Sequence, residues 1–107
     1  MEKVNESSLE YKNKTHGSKY FFTEEGKYAF GTALLRPGDE IKEHFHPDET
    51  EIFHFLSGTP VFICGGKQLR ACEGDVYKVL PNEKHYLKND TQAQVKFNIL
   101  KLKEVCR

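Results

Sequence analysis

The sequence predicts an all-β domain, two packed sheets in a jelly-roll arrangement. Three observations carry this. Short runs of β-branched and aromatic residues recur along the chain, Gly, Pro and Asn punctuate them, and no window keeps a 3.6-residue period for three turns. Roughly nine strands result, and two closed sheets leave few exposed edges. At 107 residues the chain is expected to form one domain, burying roughly 60–70% of the surface its unfolded form exposes.

Residues 1–17 are polar, rich in Glu, Lys, Asn and Ser, and read as a frayed arm or a short edge strand over 9–11. The domain proper is expected over 18–107. SKYFF (18–22) is the first strand, 23–26 a turn and KYAFGTALL (27–35) the second strand. Its two faces are Tyr28/Phe30/Thr32/Leu34 and the smaller Ala29/Gly31/Ala33/Leu35, either of which could look inward. Residues 36–39 (RPGD) turn the chain into a strand over 41–46. EIFHFL (51–56) follows the Pro47 loop. Residues 60–64 and 67–72 flank Gly65-Gly66 as a hairpin. DVYKVL (75–80), HYL (85–87) and QVKFNILKLK (94–103) complete the set. The last stretch could form a short helix, but its Val95/Phe97/Ile99 alternation favours a strand.

Charge and composition narrow the function. Lys and Arg number 16, as do Asp and Glu, with no run of five like charges, so no nucleic-acid-binding face is expected. The apolar runs fall far short of the roughly 20 residues that span a bilayer. MEKVNESSLEYKNK carries no apolar signal segment, so neither membrane nor export is expected. The three cysteines, Cys64, Cys72 and Cys106, form no C-x-x-C pair. The Gly-Gly turn would set Cys64 opposite Lys67 and leave Cys72 several rungs away, which disfavours a bridge. Free thiols, read as small buried hydrophobes, suit a cytoplasmic protein.

The chemistry concentrates in GDEIKEHFHPDETEIFHFLSG, residues 38–58. His44 and His46 stand at i and i+2, on one side of a strand. The loop through Pro47 can bring Glu51 back to meet them, and His85 is a fourth candidate. If Glu51 points inward, so do Phe53 and Phe55, while Ile52, His54 and Leu56 point out. His54 is therefore left outside the site, and so is His16, in the polar arm. Three imidazoles and a carboxylate suit a divalent transition metal (iron, manganese, nickel, cobalt, copper or zinc) over calcium or magnesium. On a six-coordinate ion they leave two positions open for chemistry.

These spacings resemble those of the cupin family. Gly38, His44-x-His46, Glu51 and Gly58 match its first motif at every fixed position. Gly74, Pro81, His85 and Asn89 match its second, with two departures: Glu83 stands where a Gly is usual, and the Pro-to-His spacing is one residue short. The resemblance implies a small single-domain cupin, a double-stranded β-helix barrel with His44, His46, Glu51 and His85 as metal ligands. It also implies a homodimer, which would cover the outward Ile52 and Leu56.

Around the metal, Tyr77 is a candidate catalytic proton or hydrogen-bond donor, or else a core aromatic. Phe53, Phe55 and Phe97 would wall the cavity. Asp48 and Glu49 read as solvated loop charges, and no Arg is placed to grip an anionic substrate. The leading function is a metal-dependent enzyme acting on a small organic molecule, of dioxygenase, isomerase or lyase type. The alternatives are a non-catalytic module that binds or senses a small ligand or metal, and a barrel that uses the metal only for stability.

Overall fold

The computed structural model describes residues 1–12 and 16–104. Nine strands form: β1 (Gly17–Glu24), β2 (Tyr28–Leu35), β3 (Glu40–His44), β4 (Glu49–Ser57), β5 (Val61–Cys64), β6 (Lys67–Arg70), β7 (Val76–Val79), β8 (His85–Lys88) and β9 (Val95–Lys103). They make a five-stranded sheet in the order β1-β2-β9-β4-β7 and a four-stranded sheet in the order β3-β8-β5-β6. Every named pairing is antiparallel. The fold is the expected all-β jelly roll, and the C-terminal stretch is strand.

The core lies between the sheets. Phe53, Phe55, Val95 and Phe97 from one sheet meet Phe62 and Leu87 from the other, all essentially inaccessible. On β2 the smaller face turns inward, since Ala33 and Leu35 are core residues. Phe30 packs instead against Phe21, with ring centroids 5.5 Å apart. Small residues on β2 also permit close strand approach, because a Cβ at Gly31 would collide with the Lys19 carbonyl of β1.

The fixed positions of the two motifs have structural roles. Gly58 ends β4 at φ +85°, and a Cβ there would stand 2.6 Å from Val95 Cγ2, so both conformation and space require glycine. Asn89 is fully buried and donates through Nδ2 to the carbonyls of Leu35 (3.0 Å) and Ala93 (2.7 Å). Its backbone carbonyl accepts from Gly38 N at 2.8 Å, tying the start of the first motif to the end of the second. The departure at Glu83 is also resolved. Asn82 takes the left-handed conformation, φ 70°, one residue before the position where glycine is usual. Glu83 closes that turn by accepting from Leu80 N at 2.8 Å.

Two expectations need correction here. The amino-terminal segment is no frayed arm, nor a strand over 9–11. Glu6–Ser8 forms a 3-10 turn capped by the Asn5 side chain. Lys19 Nζ donates to the Glu6 and Leu9 carbonyls, and Lys96 pairs with Glu6 at 2.7 Å, so the turn is tied to β1 and β9. A single bridge between Lys12 and Ser18 follows, while residues 13–15 lie outside the described residues. The thiols are not buried hydrophobes: Cys64 is half-buried and Cys72 exposed, though both are free. Cys106 lies outside the described residues. The Gly-Gly hairpin does set Cys64 opposite Lys67.

Candidate metal centre

His44 and His85 are cross-strand partners on β3 and β8. A β-bulge makes their meeting possible. Between Ile41 and His44 strand β3 spends three steps where β8 spends two, from Leu87 to His85. The extra residue shifts the side-chain alternation, so Ile41 and His44 both line the interior. Strict parity would have turned Ile41 outward. His46 lies beyond the end of β3, in the loop, so strand alternation alone does not aim it. The loop is anchored instead: the His46 carbonyl accepts from Asn82 N at 2.8 Å, joining it to the turn before His85. Glu51 enters from β4 on the opposite sheet.

The four residues converge. One donor atom from each of His44, His46, Glu51 and His85 lies within 4.8 Å of every other. Glu51 Oε1 stands 2.8 Å from His46 Nε2, and Glu51 Oε2 stands 3.6 Å from His85 Nε2. Neither approach is a well-formed hydrogen bond: His85 Nε2 and Glu51 Oε1 are buried and unsatisfied. Buried polar atoms rarely go unpaired, and a metal ion takes lone pairs aimed at a common point. The backbone supports this reading. His44 Nδ1 contacts the Lys42 carbonyl at 2.8 Å, and His85 Nδ1 contacts that of Glu83 at 3.0 Å. A carbonyl only accepts, so each Nδ1 carries a proton and each ring, when neutral, presents its Nε2 lone pair to the site.

The protonation balance is uneven. Burial lowers the His44 pKa, helped by the neighbouring His85 and His46 charges and opposed by the Lys42 carbonyl. Burial acts the same way on His85, but the contacts with Glu51 and the Glu83 carbonyl outweigh it, and its pKa is raised above 6.5. Burial works to raise the Glu51 carboxyl, but His85 and then His46 outweigh it and hold it below its usual range. In the metal-free protein His85 is therefore the imidazole that must lose a proton to bind metal. Metal affinity is expected to fall as pH drops through the raised His85 pKa, beginning above 6.5. Calorimetry at pH 6.5 in buffers of different ionisation enthalpy should show proton release on metal uptake. Uptake without release would contradict ligation by His85.

A cavity of about 370 Å³ opens beside the four residues. Its apolar lining is Ala33, Ile41, Phe53, Leu87, Phe97 and Ile99, and the remaining polar lining is His16, Ser18, Tyr20 and Lys101. Phe53 and Phe97 are wall residues as expected, whereas Phe55 lies deeper in the core. His54 is exposed on the outer face of β4. His16, set aside in the sequence reading, lines the cavity, and burial is the largest influence lowering its pKa. Tyr77 does not reach the cavity. Its ring packs on Phe62 and Phe55, and its hydroxyl donates to Asp75 at 3.1 Å. Glu49 is no solvated loop charge: it begins β4, is largely buried, and holds Lys103 at 2.9 Å with His46 Nδ1 3.8 Å away. Asp48, more exposed, shares Lys103 at 3.3 Å. Lys101 also lines the cavity, one step further along the Val95/Phe97/Ile99 alternation.

Two sheets closed over a barrel interior, with four residues at one cavity that could hold a metal ion, define a jelly-roll protein with a candidate metal centre. The cupin-domain family model matches residues 31–101, about two-thirds of the chain, and the protein belongs to that family. A protein of Thermotoga maritima described as an oxalate-binding protein is 32% identical over 68 residues, 64% of this chain. The chain spans 56% of that relative's length. Among solved structures, a predicted oxalate decarboxylase from the same organism superposes with a TM-score of 0.90 at 23% identity, covering 95% of this chain and 99% of that one. The Cnp3 cupin domain of Schizosaccharomyces pombe gives a TM-score of 0.84 at 17% identity, covering 92% and 71% respectively. These two likenesses bear on the fold.

Proposed function

We propose that His44, His46, Glu51 and His85 hold one divalent transition metal ion. The adjoining cavity then takes a small organic molecule for a metal-dependent reaction of dioxygenase, isomerase or lyase type. The observation that carries this reading is the pair of buried, unsatisfied atoms, His85 Nε2 and Glu51 Oε1, in a cluster of four donors within 4.8 Å of one another, where the His44 and His85 rings are oriented by their Nδ1 contacts with backbone carbonyls. A bound metal would supply a Lewis-acidic centre with open positions. The chain itself supplies orientation and exclusion of water: Phe53, Phe97, Leu87 and Ile99 leave few polar partners on the apolar side.

A second reading keeps the metal and drops the chemistry, making the chain a small-ligand-binding module. The name of the Thermotoga maritima relative, an oxalate-binding protein, favours it. Under either reading the molecule is a cytoplasmic homodimer. Leu56 and Val76 stand exposed on the outer sheet face, and Cys64 and Cys72 are free thiols. The test is elemental analysis of anaerobically purified protein, followed by oxygen uptake and substrate loss with iron(II) or manganese(II) over a panel of small acids and diols. Stoichiometric metal with turnover supports the enzyme. Stoichiometric metal with ligand binding and no turnover supports the module. Protein that takes up no transition metal overturns both.

A further inference from the structure

Lys101 is a cation in direct ion-pair contact with no carboxylate of the described residues, although Glu51 and Glu49 act on it from farther away. It lies on β9 directly across from Glu51 on β4, so the two side chains share one face of the sheet and both line the cavity. The lysines around it are committed. Lys103 holds Glu49 and Asp48, and Lys96 holds Glu6. The neighbour of Lys101 on the cavity wall is Tyr20, whose ring centroid lies 5.6 Å from the ammonium and whose side chain also acts on it. A half-buried charge in that position is costly unless something answers it. Burial works to lower the Lys101 pKa, but Tyr20 and the Glu51 and Glu49 carboxylates outweigh that and raise it.

We propose that Lys101 is the anion anchor of this cavity, and that the molecule bound beside the metal is a small carboxylate with one end on the ion and negative charge on the Lys101 ammonium. The inference rests on the metal reading above. Charge counting supports it: a divalent ion, three neutral imidazoles, the Glu51 carboxylate and the Lys101 ammonium leave two positive charges in one cavity. A dicarboxylate neutralises both. The volume, about 370 Å³, lies at the small end of ligand sites, and besides Lys101 and the four metal-site residues the polar groups of its wall are His16, Ser18 and Tyr20. Phosphate recognition usually draws on an Arg fork or a nest of backbone amides, and no Arg lines this cavity.

The test uses the full chain loaded with cobalt(II), whose visible spectrum reports ligands entering the metal's open positions. Oxalate, neutral oxamide and inorganic phosphate are titrated into wild type, Lys101→Met and Lys101→Arg. Oxalate affinity should fall at least about tenfold in Lys101→Met and largely recover in Lys101→Arg, with cobalt content unchanged in both. Equal oxalate affinity in Lys101→Met at full cobalt content overturns the inference while leaving the metal reading intact. Failure of wild type to retain cobalt sinks the metal reading instead. Phosphate or oxamide binding more tightly than oxalate overturns the carboxylate assignment. Should Lys101→Met fail to fold, the wild-type protein decides. Oxalate should slow acetylation of Lys101 several-fold, read by peptide mass spectrometry, and leave exposed Lys67 unaffected. Unchanged labelling of Lys101 overturns the anchor.

Discussion

Replacing His85 by alanine is expected to abolish metal retention. His85 is 1% exposed, and its Nε2 is, with Glu51 Oε1 and Glu49 Oε2, a buried side-chain atom without a hydrogen-bond partner among the described residues. Losing an outer partner of a metal ligand typically costs about 10–100-fold in affinity, so losing a ligand itself should cost more than about 100-fold. The metal-free variant should be destabilised as well, because Glu51 stays buried at 2% exposure without its neighbouring imidazole. Breaking such a pair costs roughly 3–5 kcal/mol. The low end is expected here, since His46 remains 2.8 Å from Glu51 Oε1. His54→Ala is the matched control, on the exposed face of the strand that carries Glu51. Elemental analysis after dialysis against a weak chelator, with a urea titration of each metal-free form, checks both halves. Wild-type metal content in His85→Ala would remove this residue from the site.

Strand positions were legible because burial of one sheet face writes itself into alternation. Phe53 and Phe55 inward with His54 and Leu56 outward follows from that rule alone, and so does the hairpin register at Gly65-Gly66. What parity could not supply was any irregularity. The bulge in β3 admits Ile41 beside His44, and His46 is placed by a backbone hydrogen bond from Asn82 that spans 36 residues of sequence. Only the fold brings those segments together. Tyr77, which the sequence leaves as either a cavity donor or a core aromatic, is the second: its ring packs against Phe55 and Phe62. His16 was hidden by its setting, a polar segment that turns out to border the cavity. Lys101 was different. It stands in step with Val95, Phe97 and Ile99 on the inward face of β9, so the alternation alone places it at the cavity.

Phe55→Ala should produce the largest loss of stability. Its side chain is 0% exposed, with ring centroids 5.2 Å from Phe97, 5.9 Å from Tyr77, 6.1 Å from Phe62 and 6.4 Å from Phe53. The ring therefore bridges both sheets. Its backbone is fixed too, accepting from Gly74 N at 2.8 Å and donating to the Asp75 carbonyl at 3.0 Å, so β4 cannot readily slide to fill the space. Truncating a buried Phe costs about 3–5 kcal/mol, and the melting temperature of a domain this size falls about 4–8 °C per kcal/mol. The damage should spread to the metal centre through Phe53, whose ring lies 5.8 Å from that of His85. Because metal binds the folded state alone, saturation at 100 times the Kd restores about 2.7 kcal/mol. Metal-loaded Phe55→Ala should then melt close to metal-free wild type, as measured by calorimetry with and without excess metal. A loss below about 1 kcal/mol on truncation would mean that the sheets are not packed through this ring.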